Sequence, residues 1–403
     1  MDGLGSEPIR DGIVVIEKDR IAFVGRSADY SPPADALMVD AQGGTILPGI
    51  IDAHVHSAVN PVYRQKSLNS GVTAICDLGS PLEDMPKFDQ NYLENDPVAS
   101  GFHSGPIITA EGGLPDAVLH IDYNYEVRTP DEARAAVVDL HNRGVDVIKV
   151  YLQSEGGGTI YPMLDEQELA AIVDQAHSMG LLVRAHVTYA SLFEMAVQAG
   201  VDTIEHVPVN QTQSEAQSIS ESQLQALFAS NENDPLQVYF TELSPQYEAH
   251  LEEMVDAGIT MVPTLDRPLR ELYGFPDPTR EQQIVIEIIL GIVRSFHEQG
   301  GEIALGTDYN INSDSQSGMP VGEMEMLQAA GLTPMEVLEA GTRVSARVCG
   351  HGNELGTLEA GKLADLVVVD GDPLEDLQAM SRVTLVIKNG EISIVSEGLQ
   401  GAN

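Results

Sequence analysis

From residue 48 onward, short apolar runs closed by Gly or polar turns alternate with stretches whose apolar residues recur at helical spacing. The runs that read as strands are Gly49–His56, Val72–Leu78, Pro106–Ala110, Val145–Leu152, Leu181–Val187, Thr203–Val207, Thr260–Thr264 and Ile303–Thr307. Amphipathic segments such as Asp131–Arg143, Asp165–Met179, Ser191–Ala199 and Arg280–Gln299 fall between them. Strand-helix alternation of this length predicts an α/β protein with a parallel (β/α)8 TIM-like barrel and right-handed crossovers.

The two ends follow a period of two instead. Ile13–Val24, Leu366–Val369 and Val383–Ile394 read as β-structure, with turns at Lys18-Asp19-Arg20 and Asn389-Gly390. The economical arrangement pairs both ends into one small β-sandwich domain, residues 1–46 and 358–403, with the barrel of residues 47–357 inserted between them. The polar segment Asn210–Asn233 directly follows the sixth strand, so it reads either as a cap over the substrate or as a solvated insertion.

Composition narrows the function classes. The chain carries 62 acidic against 21 basic residues, a net charge of −41, which argues against nucleic-acid backbones and anionic membranes as partners. No apolar run approaches the roughly 20 residues that cross a bilayer. The start of the chain has no basic segment leading into an apolar one, which predicts a cytoplasmic protein acting on a small molecule. A surface rich in Asp and Glu with only six lysines in the whole chain predicts adaptation to salt. Cys76 and Cys349 sit in apolar settings and read as two buried thiols.

Chemistry gathers at the strand ends. In Asp52-Ala53-His54-Val55-His56, alternation predicts Asp52, His54 and His56 on one face, with the two imidazoles at the mouth of the first strand able to grip one cation. Strands five and six end in His186 and His206, and strand eight runs into Asp308, a carboxylate able both to touch a metal and to take a proton. Lys149 lies in the middle of the apolar strand VIKVY and is the only lysine between Lys87 and Lys362. An unpaired ammonium there would cost several kcal/mol. Either it pairs with a buried carboxylate such as Asp52 or Asp308, or CO2 converts its amine to a carbamate, an anion able to bridge two metal ions.

The run GGTILPGIIDAHVH, the strand VIKVY, the endings RAHV and TIEHV, the LGTD run and the tail GTLEAGKLADLVVVDGDP together resemble the amidohydrolase superfamily. Within it they are most similar to the imidazolonepropionase-like branch that includes Xaa-Pro dipeptidases, and the likeness spans nearly the whole chain. It implies two divalent ions, Zn2+ by default: His54 and His56 with Asp308 on the more buried one, His186 and His206 on the other, and N-carboxylated Lys149 bridging. It implies a homo-oligomer, and a further strand ahead of Asp2-Gly3-Leu4-Gly5 that does not precede it here.

The reaction expected is hydrolysis of an amide bond, peptide-like and of Xaa-Pro or N-acyl amino-acid type, by metal-activated hydroxide with Asp308 as general base and then acid. Tyr151, on the same face as Lys149, and His120 and Tyr189, after strands three and five, are candidate substrate-binding residues. The alternatives are a mononuclear deaminase or a cyclic-amide hydrolase on the same fold, and a non-catalytic interaction protein. A deaminase would carry Glu three residues after the fifth-strand histidine, where this chain has Tyr189, and all six candidate ligands are present.

Overall fold

The structure is a computed structural model describing residues 1–93, 96–119, 122–156, 158–209, 235–240, 246–311 and 317–395. His120 and the polar segment at 210–233 lie outside the described residues.

Two parallel sheets make up the barrel wall. One is ordered Tyr309–Asn310, Ile50–His56, Val72–Asp77, Ser100–His103; the other runs from Asn124–Val127 through Ile107–Ala110, Val147–Leu152, Leu182–Val187 and Thr203–Glu205 to Thr260–Val262. They meet at the third barrel position. There Ser100–His103 pairs with the second strand, and Ile108, beyond a break at Ser104-Gly105-Pro106, pairs with Val150 of the fourth. Proline supplies no N–H to a ladder. The expected strand Pro106–Ala110 is therefore only the outer half of this position, and Asn124–Val127, unexpected from the sequence, runs parallel beside it. The ring closes at residues 303–308. Ile303 bridges Met261, Ala304 N–H donates to Met261 O, and the first strand is reached through Ala53 N–H to Leu305 O and Thr307 N–H to His54 O.

The outer helices begin on side-chain caps. Asp165 and Glu168 form a capping box ahead of Glu166–Ser178, as do Thr279 and Gln282 ahead of Arg280–Glu298, and Thr129 caps Pro130–Asn142. Ile284, Ile288 and Ile292 of the long helix Arg280–Glu298 are buried, and they join Ile148, Val150, Val183 and Ile204 in the core between wall and helices. Among the described residues, no helix is long and apolar enough to cross a membrane.

The chain ends form the expected β-structure. Glu391–Val395, Val383–Lys388, Leu366–Val369 and Thr45–Pro48 make an antiparallel sheet, and the hairpin of Gly12–Glu17 and Arg20–Arg26 packs on it through Ile21, Leu366, Val368 and Leu385. Inside that small core Lys388 donates to Asp365, both buried. The same sheet launches the barrel: Gly49 follows Thr45–Pro48 directly and donates to Asp365 O. A Cβ at Gly49 would lie 2.1 Å from Thr73 Oγ1, so only glycine allows the first two barrel strands to approach this closely.

One expectation about the first strand is corrected. Between Asp52 and Val55 the ladder carries a bulge: Asp52 opposes Ile75, while Val55 opposes Asp77. Three steps on one strand are matched by two on the other, so side-chain parity reverses. Ile51 and Ala53 enter the barrel interior with Ala74, Cys76, Val147 and Val262, whereas Asp52 points the other way and accepts from Thr307 Oγ1 at 2.7 Å. Asp52 therefore does not share a face with His54 and His56. Cys76 and Cys349 are both buried and unbridged, in one interior cluster.

Candidate metal centre

The strand ends converge on a cavity of about 540 Å3 lined by His54, His56, Lys149, Tyr151, His186, His206 and Asp308. Each wall element delivers its group by a different local device. The bulge turns both His54 and His56 to the mouth. Val147, Lys149 and Tyr151 share the interior parity of the fourth strand, and Arg184 and His186 that of the fifth. On the sixth strand Thr203 and Glu205 face inward, which by alternation would send His206 behind the wall; the strand ends at Glu205, and a φ of +74° at His206 swings its ring back. Its centroid lies 4.6 Å from that of His186 and 5.2 Å from that of His54. Asp308 and Thr264 also have positive φ, +56° and +50°. Strained non-glycine residues collected at one mouth are a mark of a functional site.

His54, His56 and Asp308 offer ligand atoms all within 4.8 Å of one another. Asp308 Oδ1 lies 3.1 Å from His56 Nε2 and 3.5 Å from His54 Nε2, and Arg267 Nη1 lies 3.3 Å from the other oxygen. Each remaining imidazole is oriented by a partner. His206 Nδ1 meets Thr264 Oγ1 at 2.8 Å, and His186 Nε2 meets Gln153 Oε1 at 3.0 Å, an oxygen that also accepts from Thr188. The ring nitrogens left for a cation are Nε2 of His206 and Nδ1 of His186.

Beneath them lies a pair that motif reading missed. Glu205 accepts from Arg184 at both oxygens, Nε to Oε1 and Nη2 to Oε2 at 2.9 Å each, and its Oε2 lies 2.7 Å from His54 Nδ1. All three side chains are buried. The available signal was Arg184 itself, a guanidinium at interior parity in an apolar strand, which demands a carboxylate nearby.

The protonation states suit ligation. Burial drives His54 and His186 well below the usual imidazole range and His206 down to about 4, so all three are neutral. Burial opposes ionisation of Asp308, yet the hydrogen bond with His56 holds its carboxyl well below the usual range. Glu205 is likewise held low against its burial, chiefly by Arg184.

Lys149, like His56 at Nδ1, departs from this pattern of satisfied groups. It is 2% exposed, and its Nζ has no hydrogen-bond partner among the described residues. Pairing with Asp52 or Asp308 is not what is found. Burial pushes its amine down to about 8. An orphaned, partly neutral amine among three neutral imidazoles and a carboxylate fits a carbamate between two cations.

The candidate substrate residues separate. Tyr151 lines the cavity, and its ring stacks on His186 at 3.8 Å. Tyr189 is buried in the apolar core and does not line the cavity. Arg267, Tyr273 and Tyr123, which no sequence pattern singled out, do line it.

The sequence profile described as the amidohydrolase family matches residues 45–393. An imidazolonepropionase of Brevibacillus brevis (strain 47 / JCM 6285 / NBRC 100599) is 25% identical, over 97% of this chain and 91% of that protein. Among solved structures, a Xaa-Pro dipeptidase with bound methionine in the active site superposes with a TM-score of 0.73 at 24% identity, covering 97% of each chain. The A. niger ochratoxinase superposes with a TM-score of 0.74 at 21% identity, over 98% of this chain and 94% of that one. At these identities the superpositions speak for the fold.

Proposed function

The chain belongs to the amidohydrolase family of hydrolases acting on C–N bonds, and from that premise we propose a binuclear metal-dependent amidase. It cleaves a peptide-like bond, Xaa-Pro or N-acyl amino acid in type. The observation that carries this reading is Lys149 Nζ, buried and without a hydrogen-bond partner among the described residues at the centre of the ligand set. Left as an ammonium it is a cost with no return; carboxylated, it supplies the shared anion that two cations of the Zn2+ type need.

In this reading His54, His56 and Asp308 would hold one ion and His186 and His206 the other, with Lys149 available to both. Divalent ions bound there supply Lewis acidity toward the scissile carbonyl and acidify a water near neutral pH. The remaining work is done by the chain. Asp308, ionised across the physiological range, accepts the proton of the attacking water and passes it to the leaving amine. Glu205, itself clamped by Arg184, holds the proton of His54 on Nδ1 and so keeps Nε2 free. Tyr151, packed flat on His186, presents a hydroxyl at the cavity wall.

A cyclic amide is the second reading, favoured by the likeness to imidazolonepropionases across nearly the whole chain. Metal analysis joined to a hydrolysis screen tests both. About two ions per chain, lost together with activity in Lys149→Ala, support the bridged pair. One ion, unaffected by that change, would overturn it. Turnover of Xaa-Pro dipeptides or N-acyl amino acids, set against five- and six-membered lactams, decides between the substrate readings.

A further inference from the structure

Apart from the candidate ligands, two charged side chains line the cavity among the described residues: Arg267 and Glu271. Around them stand Leu265, Pro268, Leu272, Tyr273 and Ile289, a largely apolar wall. Arg267 is placed with care. Two residues beyond the seventh strand Thr260–Val262, Thr264 takes a left-handed conformation, and the following segment is pinned where Leu265 and Asp266 N–H donate to the two oxygens of buried Glu323 at 2.9 and 2.7 Å. Arg270 Nε donates to Asp266 Oδ1 at 2.6 Å, fixing the short helix Asp266–Glu271 from its other side. From this base the Arg267 Nη1 reaches Asp308 O at 2.7 Å and Oδ2 at 3.3 Å, and Nε reaches Glu271 Oε2 at 3.3 Å. No described residue accepts from Nη2.

We infer that Arg267 is the specificity-determining residue of this site, binding through Nη2 the carboxylate of a substrate whose scissile nitrogen lies beside Asp308. Resting on the amidase reading above, this inference defines the substrate class as amides of apolar α-amino acids with a free carboxylate. The spacing fits. An acceptor on Nη2 lies within roughly 6 Å of Asp308 Oδ2, given hydrogen bonds of about 2.9 Å at each end of the guanidinium. One Cα separates an amide nitrogen from its carboxylate oxygen by about 3–4 Å, which leaves a hydrogen bond's length between that nitrogen and Asp308. Charge fits as well. A chain of net charge −41 repels small anions, so an anionic substrate needs a fixed cation inside the cavity. Once Lys149 is a carbamate, Arg267 is the one permanently cationic side chain lining it among the described residues.

The test is equilibrium binding of N-acetyl-L-leucine and of N-acetyl-L-leucinamide to zinc-loaded protein, by calorimetry, in wild type, Arg267→Met and Arg267→Gln. Wild type should prefer the carboxylate roughly ten-fold or more, as a charge-assisted pair predicts. Both variants should lose that preference while binding the amide as before. Arg267→Gln retains a donor toward Asp308 O, so it keeps the test open if Arg267→Met fails to fold. A preference that persists in the variants would put the carboxylate on the metal pair and overturn the inference, as would its absence from wild type. Turnover is scored separately over the Xaa-Pro dipeptides and N-acyl amino acids of the screen: if none is hydrolysed, the amidase reading fails while the binding result still decides the role of Arg267.

Discussion

Glu205 Oε2 lies 2.7 Å from His54 Nδ1, and both oxygens of the same carboxylate are taken up by Arg184. A fully buried guanidinium thus fixes the carboxylate that fixes the imidazole. Glu205→Gln keeps the shape and removes the charge. Metal affinity should fall about 10- to 100-fold, read by chelator competition. Stability should fall by about 3 kcal/mol or more, because Arg184 is left buried without its counter-ion. The double variant Arg184→Met/Glu205→Leu should recover much of the stability and none of the affinity. Recovery of both would mean that the carboxylate serves packing alone.

Lys149→Met should abolish activity yet stabilise the metal-free protein. The folded amine sits at about 8 against an ordinary 10.5, so between those values the folded state binds fewer protons than the unfolded one, and wild-type stability rises with pH. Below pH 8 the whole penalty of the buried ammonium applies, on the order of 3 kcal/mol, and above 10.5 it is gone. Denaturant midpoints of chelator-treated, CO2-free protein should therefore favour Lys149→Met at pH 7 and converge with wild type as the pH approaches 10.5. A variant less stable than wild type at pH 7 would contradict the unpaired amine.

Much of this was legible in the sequence, and the misses have local causes. Strands with continuous apolar runs, such as Val147–Leu152 and Leu182–Val187, stand where the pattern put them. Ser100–His103, a four-residue strand reading Ser-Gly-Phe-His, has no run to detect and gains its place only by pairing with Ala74–Asp77. The six strand-end residues fall around one cavity, although alternation alone would have turned His206 outward and left Asp52 beside His54. A backbone φ and a bulge decide those two cases, and neither is written in a periodicity of two. Arg267 was invisible for another reason: it sits on a short helix whose position depends on Glu323, 56 residues later in the chain.

Asp308→Asn removes the proton acceptor and weakens one ligand of the first ion together. In protein whose metal content is matched to wild type, kcat should still drop about 100-fold or more, because the amide cannot take a proton, measured on whichever amide the screen identifies. Tyr151→Phe is the contrasting case. The ring still stacks on His186, so metal content should stay at the wild-type level, and a fall in kcat/KM would report the hydroxyl alone. Loss of metal from Tyr151→Phe would assign the hydroxyl to the ligand shell instead.

Salt should stabilise this protein where it weakens most ion pairs. With 62 acidic and 21 basic residues, repulsive contacts between exposed carboxylates outnumber attractive ones. Exposed pairs such as Arg128 with Glu111 contribute little to begin with. The screening length shrinks from about 10 Å at 0.1 M salt to about 3 Å at 1 M, so repulsion across the surface fades over that range before the short contacts inside the site are touched. Tm should accordingly climb between about 0.05 and 1 M KCl and then level off, because screening beyond that point has little left to remove. A rise that continues well past 1 M would instead point to cations held specifically by the acidic surface. A Tm that is flat or falling over the first molar would show that the charge serves solubility and that folding is indifferent to it.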